Sequence, residues 1–153
     1  MALRAEHLPR PDLAYRKIVV PLGGQEAQPA VSVAAQLAAE RGAEITAVVV
    51  IELPVELPLE AHMDAEEARA QRLLEEARAI AGAHGVRLRA RVVRGREAGE
   101  EVVAEANALG ADLIVLEAAT RPPALHSLFG KTADYILKHA ECRVLLVSPP
   151  TES

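Results

Sequence analysis

A chain of 153 residues, half of them hydrophobic and a quarter charged, fits one globular domain that buries roughly 70% of its unfolded surface. A net charge of −5 and an aromatic content of only 2% exclude the usual footprints of nucleic-acid and anionic-membrane binding. Those modes need basic surface and stacking rings. The single cysteine, Cys142, lies in an apolar run, which rules out an internal disulfide framework and reads as a buried reduced thiol.

Met1–Ala14 carries Pro9 and Pro11 without a hydrophobic period and reads as a tail or linker. Its first ten residues lack the apolar core of a secretory leader. No apolar run approaches the ~18 residues of a membrane span. A cytoplasmic protein without direct membrane insertion is expected.

Arg16–Leu22 is a β-rich run that ends at Gly23-Gly24. Pro29 suits the first turn of a helix reaching Glu40, with Val33, Leu37 and several alanines inward and Arg41-Gly42 as its stop. Glu44–Glu52 is a second apolar, β-branched run. Leu53–Leu59 contains Pro54 and Pro58 and cannot continue as regular structure. From Asp64 to His84, the residues Ala70, Leu73, Leu74, Ala77, Ile80 and Ala81 keep helical spacing, and Gly85 ends it.

Val86–Arg94 alternates, with Val86, Leu88, Ala90 and Val92 on one side and Arg87, Arg89 and Arg91 on the other. That pattern predicts a strand with one wet face at a sheet edge. A third helix spans Glu97–Leu109, with Val102, Val103, Ala106 and Leu109 inward and Gly110 closing it. Leu113–Leu116 is a fully apolar strand. The last helix, Thr132–Ala140, places Ala133, Ile136, Leu137 and Ala140 inward, and Val144–Val147 is the last strand. Pro149-Pro150 then opens a short tail over 149–153.

Five strands alternating with four helices predict a single doubly wound α/β domain over residues 15–148, a parallel sheet with helices on both faces. No internal repeat or second domain is read. Apolar central strands and a wet third strand fit the order 3-2-1-4-5, in which the chain reverses between the first and fourth strands. Ligands of such sheets bind outside the carboxyl ends of those two strands, here Leu22-Gly23-Gly24 and Glu117–Thr120. Val144–Val147 becomes an exposed apolar edge, so antiparallel pairing with a two-fold mate predicts a homodimer.

Other motifs carry less. Gly130-Lys131-Thr132 looks like the end of a phosphate-binding P-loop, but such a loop needs glycine at the position of Leu125. The five histidines, His7, His62, His84, His126 and His139, show no metal-ligand spacing; His126 is the one on a candidate ligand loop. Ser32 has no nucleophile-elbow context, and Asp112 reads as a turn-ordering residue rather than a base. No catalytic constellation is found.

Lys17–Pro21, Ala111–Leu116 and above all Gly130–Val147, with Ile136-Leu-Lys-His-Ala-Glu-Cys-Arg-Val-Leu-Leu-Val147, resemble the universal stress protein family. The resemblance runs from Tyr15 to Val147 and implies a Rossmann-like domain. Ile51–Pro58, Arg94-Gly-Arg96 and Phe129–Tyr135 resemble the subgroup found alone or as the soluble tail of amino-acid permeases, which implies a link to a membrane transporter.

In the family's nucleotide-binding branch the first strand ends Pro-x-Asp, and the phosphate loop reads Gly-x2-Gly-x9-Gly-[Ser/Thr]. The matching residues here are Gly23 for the Asp, then Glu117, Thr120, Gly130 and Lys131. The candidate pocket implied is therefore Pro21, Leu22, Gly23, Val50, Glu117, Thr120, Gly130, Lys131 and Thr132. Adenine would lie against Val50 and the turn after Pro21, with phosphates at Gly130–Thr132.

Glu117 sets a carboxylate where phosphate would approach, a repulsion of roughly 4 kcal/mol per charge pair at ~4 Å and an effective dielectric of ~20. Pairing of Glu117 with Lys131, Arg121 or a helix N-terminus is expected to plug the site. Arg94 and Arg96 are read as solvent-facing charges or as part of the same rim. The function implied is a non-enzymatic regulatory or adaptor module with no cofactor expected. The alternative is a sensor of ATP or another adenine nucleotide, AMP or a cyclic dinucleotide, with a divergent phosphate loop.

Overall fold

The computed structural model describes residues 15–23, 28–118 and 130–148. Both tails, Gly24, Thr120, Arg121, His126 and Phe129 lie outside the described residues. The strands are β1 (Lys17–Pro21), β2 (Glu44–Glu52), β3 (Leu88–Gly95), β4 (Leu113–Glu117) and β5 (Arg143–Val147). The helices are α1 (Gln28–Arg41), α2 (Asp64–Ala83), α3 (Ala98–Leu109) and α4 (Lys131–His139). All neighbouring strands pair in parallel, in the order β3-β2-β1-β4-β5.

The pleat divides the apolar strand residues between two cores. Ile18, Val20, Ile45, Ala47, Val49, Leu113 and Val115 face α1 and α2. Val19, Val48, Ile114 and Leu116 face α3 and α4. On the first face Ala30, Ala34, Ala35 and Ala38 of α1 are buried, small enough to bring that helix close to the sheet. On the second face Gly99 lets α3 approach α4, since a Cβ there would stand 2.8 Å from the Cβ of Tyr135.

Asp112 fastens the opposite, amino-terminal rim. Its Oδ2 accepts from the backbone N–H groups of Arg16 and Lys17 at 2.8 and 2.9 Å, tying the turn before β4 to the start of β1. Lys17 Nζ donates to the Leu109 carbonyl at 3.2 Å, a cation at the end of α3.

Two expectations need revision. Leu137, expected to face inward from the last helix, is 42% exposed. In β3, Leu88 and Ala90 pack inward as read, but Val92 is 40% exposed. At the sheet edge its side lies beyond the cover of α2. The arginine side is half covered instead, because Val93 packs on the second core and Arg91 pairs with Glu105 of α3 at 3.1 Å.

The proline-containing loop between β2 and α2 holds no helix or strand, as read. It forms two consecutive turns, closed by Leu57 N–H to the Pro54 carbonyl and Ala61 N–H to the Pro58 carbonyl, both at 3.0 Å. The sequence there does repeat, every four residues: Glu52-Leu-Pro-Val, then Glu56-Leu-Pro-Leu, then Glu60. The repeat in sequence is the repeat in turns.

Candidate functional site

The carboxyl ends of the five strands form one rim. At the end of β1, Leu22 donates its N–H to the Val48 carbonyl at 2.8 Å and buries its side chain in the first core. Gly23 is exposed, and its carbonyl accepts from Arg69 Nη2 of α2 at 2.6 Å. The position that a carboxylate would fill in a nucleotide-binding relative is therefore a bare backbone held by a guanidinium. Pro21 is half-buried at the end of β1, and Val50 is half-buried against the second core.

Gly130 caps α4 with φ 105° and ψ 151°, a conformation that side chains resist, and its carbonyl accepts from Asp134 N–H at 2.9 Å. Lys131 and Thr132 open the helix. Lys131 Nζ lies 3.0 Å from Glu97 Oε2. That hydrogen bond and the charge of Glu97 raise the lysine pKa above its ordinary value, with a smaller contribution from Glu52.

The expected Glu117–Lys131 pair is not formed. Strand alternation turns Glu117 to the side of Leu113 and Val115, toward α1 and α2, whereas α4 packs on the other side. Glu117 has a partner of its own.

Lys131 and Thr132 instead line a cleft of about 400 Å³ between the first turns of α3 and α4, shared with Glu52, Glu97, Glu100, Asp134, Tyr135, Lys138 and His139. None of Pro21, Leu22, Gly23, Val50 or Glu117 lines it. Glu52 projects from the end of β2 and accepts the Ala98 N–H at 2.8 Å, capping α3 with a carboxylate where the helix is electropositive. Four carboxylates (Glu52, Glu97, Glu100, Asp134) face two ammonium groups (Lys131, Lys138) in this cleft. His139 stacks on Tyr135 with ring centroids 4.2 Å apart.

Arg94 is half-buried and Arg96 exposed, and neither points its donors at the β1 rim. Arg96 Nη1 donates to the carbonyls of Leu53, Pro54 and Leu57. Arg94 Nη1 donates to the carbonyls of Leu59 and Ala61, and its Nη2 pairs with Glu67 in the first turn of α2. Both arginines hold the tandem-turn loop.

Sequence reasoning did not single out Glu52, Glu97 or Arg69. A carboxylate at a strand end, and another directly before a helix, were the available signals for the first two. Arg69 gave none, because its role comes from a carbonyl 46 residues away in the chain.

Burial raises the pKa of Cys142, which is half-buried, and keeps the thiol protonated. Among the described residues no group of three His, Cys, Asp or Glu side chains could hold a metal ion. Among them, too, no helix is long and apolar enough to cross a membrane.

The family model of the universal stress proteins matches residues 14–148. Among solved structures, the universal stress protein UspA from Lactobacillus plantarum superposes with a TM-score of 0.73 at 23% identity, covering 89% of this chain and 99% of its own. A universal stress protein from Archaeoglobus fulgidus in complex with dAMP gives 0.68 at 23%, covering 88% and 98%. A family member from Arabidopsis thaliana with AMP bound gives 0.62 at 18%, covering 89% and 93%. At these identities the likeness establishes the fold. No curated protein matches the chain.

Proposed function

The chain belongs to the universal stress protein family, and on that premise we propose that it is a non-enzymatic regulatory or adaptor module that does not hold a nucleoside triphosphate. The observation that carries this reading is the state of Lys131. The one cation in the first turn of α4 is engaged by Glu97 at 3.0 Å, in a cleft where carboxylates outnumber ammonium groups. A triphosphate brought to that helix end would have to displace Glu97 and approach Glu52 and Asp134. Each like-charge pair at ~4 Å opposes it by roughly 4 kcal/mol at an effective dielectric of ~20. Among the described residues, three arginines near this end of the sheet are already engaged, Arg69 on the Gly23 carbonyl and Arg94 and Arg96 on the loop.

A second reading, an adenine-nucleotide sensor, is favoured by the dAMP and AMP complexes of the relatives and by the glycine backbone of Gly23 and Gly130. Calorimetric titration of the refolded, ligand-free protein with ATP and AMP separates the two. No heat with ATP supports the adaptor reading, and micromolar binding of ATP overturns it. Binding of AMP alone would leave the triphosphate exclusion standing and make the module a monophosphate sensor.

In this proposal the module is a homodimer linked to membrane transport. The dimer is supported by β5, whose only strand partner among the described residues is β4 and on which Leu145 is 38% exposed. Sedimentation equilibrium should give twice the chain mass for the native protein and a monomer for Leu145→Lys; a native monomer would remove the dimer. The transport link rests on the resemblance carried by Ile51–Pro58.

A further inference from the structure

Among the described residues six large hydrophobic side chains are exposed, and three of them belong to one loop: Val55 at 82%, Leu57 at 37% and Leu59 at 42%. Single apolar residues scattered over a surface carry no message, but a cluster on one short ordered segment does. This is the tandem-turn loop between β2 and α2. Its four-residue repeat places Val55-Glu56 at the tip of the first turn and Leu59-Glu60 at the tip of the second. Each tip offers an aliphatic side chain beside an exposed carboxylate.

The backbone beneath the tips is held with unusual effort for a surface loop. Arg96 donates to three of its carbonyls and Arg94 to two more. Water would satisfy exposed carbonyls without help, so what the two guanidinium groups add is a fixed shape. A loop that orders apolar side chains outward has already lost the conformational freedom that binding would otherwise remove.

Along the chain the charge of this segment is of one sign, and against it stand the two guanidinium groups beneath the loop, of which Arg94 is already paired with Glu67. From Glu52 to Glu67 the chain carries six carboxylates and neither lysine nor arginine. Glu52 caps α3 and Glu67 pairs with Arg94, which leaves Glu56, Glu60, Asp64 and Glu66 without an ion-pair partner among the described residues. The complement of this surface is a basic one with aliphatic side chains between its charges. An anionic membrane would be repelled.

We propose that the tandem-turn loop Leu53–Ala61 is a docking surface for a basic, aliphatic-rich segment of a partner protein. Its apolar anchors are Val55 and Leu59, and Glu56 and Glu60 set the charge it selects. The site lies apart from the cleft at α4 and works whether or not that cleft takes a nucleotide, so its test uses nucleotide-free protein.

A displayed library of random short peptides is panned on the wild-type chain with counter-selection on a Val55→Ser, Leu59→Ser variant. Enriched peptides are then synthesised, labelled and titrated by fluorescence anisotropy. The expected winners carry Lys or Arg interspersed with Val, Leu or Ile. They should lose at least about tenfold in affinity to the counter-selected variant, and a similar factor to Glu56→Lys, Glu60→Lys. Both variants change exposed side chains, and circular dichroism confirms their fold. No enrichment, acidic winners, or equal binding to all three proteins would overturn the proposal. So would binding of the wild type, but not the Val55→Ser, Leu59→Ser variant, to phosphatidylcholine vesicles, which would make the loop a lipid contact.

Discussion

On one side of the sheet α1 and α2 press alanines, Leu73 and Leu74 onto the strands, and twenty residues are buried together. On the other, eight of the described residues are buried with α3 and α4, Leu137 of α4 is 42% exposed, and the two helices flank a cleft of about 400 Å³. The same strands serve both sides, so the difference lies in the helices. α2 has 20 residues and α1 a run of alanines that fits the sheet closely, whereas α4 has 9 residues and packs chiefly against α3. The first side fixes the fold. The second has slack, and its slack lies beside Lys131 and Thr132 at the start of α4.

Large-to-small substitutions on the two sides would break this contrast most directly. Leu73 and Ile136 are each 0% exposed. Leu73→Ala should destabilise by about 4 kcal/mol, since the long α2 cannot collapse into the void. Ile136→Ala should cost about 2–3 kcal/mol, because a short helix beside a cleft can settle inward. Urea denaturation of both variants measures the difference. Equal costs would mean that the α4 side is as rigid as the other.

Gly99→Ala probes the slack from the opposite direction. The new methyl would meet the Cβ and ring of Tyr135 at 2.8 and 2.9 Å, closer than carbon atoms pack, so α3 and α4 must move apart. A loss of about 2–3 kcal/mol is expected, toward the upper end for overpacking, because the Cβ of Tyr135 cannot swing aside. A larger loss, or failure to fold, would show that the α3–α4 contact is as closely fitted as the first core.

How far these features can be read from the chain follows the same division. Continuous apolar runs such as Leu113–Leu116 and the helical spacing of Ala70, Leu73, Leu74 and Ala77 announce elements whose burial is local in sequence. The strand order follows from them, and β2 coincides with its expected bounds of Glu44–Glu52. The site does not follow in that way. Lys131 meets Glu97 only because the first turns of two helices stand side by side, and Glu117 turns away from Lys131 by the parity of a single strand position. Arg94 and Arg96 could be counted as cations, but which oxygen each would find depends on the loop's turns. The four-residue repeat of that loop was legible and went unread, because two prolines in eight residues look like a break rather than a pattern.

The smallest effect concerns the cation at the α4 terminus. Lys131 is 82% exposed, so its pair with Glu97 is a surface pair and adds little to stability. Its raised pKa means that whatever it adds is fully present below the ordinary lysine value and is lost as pH rises through the folded one. Glu97→Gln should therefore leave the melting temperature at neutral pH nearly unchanged. It should bring the lysine titration, followed by NMR at the side-chain carbon next to Nζ, back down toward its ordinary value. The same variant releases Lys131 and removes one of the four carboxylates lining the cleft. If the carboxylates around α4 exclude polyphosphate, Glu97→Gln should bind ATP measurably more tightly than the native chain. Unchanged titration in the variant would show that Glu97 does not hold Lys131 in solution. Unchanged ATP affinity beside a shifted titration would place the exclusion at Glu117, where Glu117→Gly should relieve it.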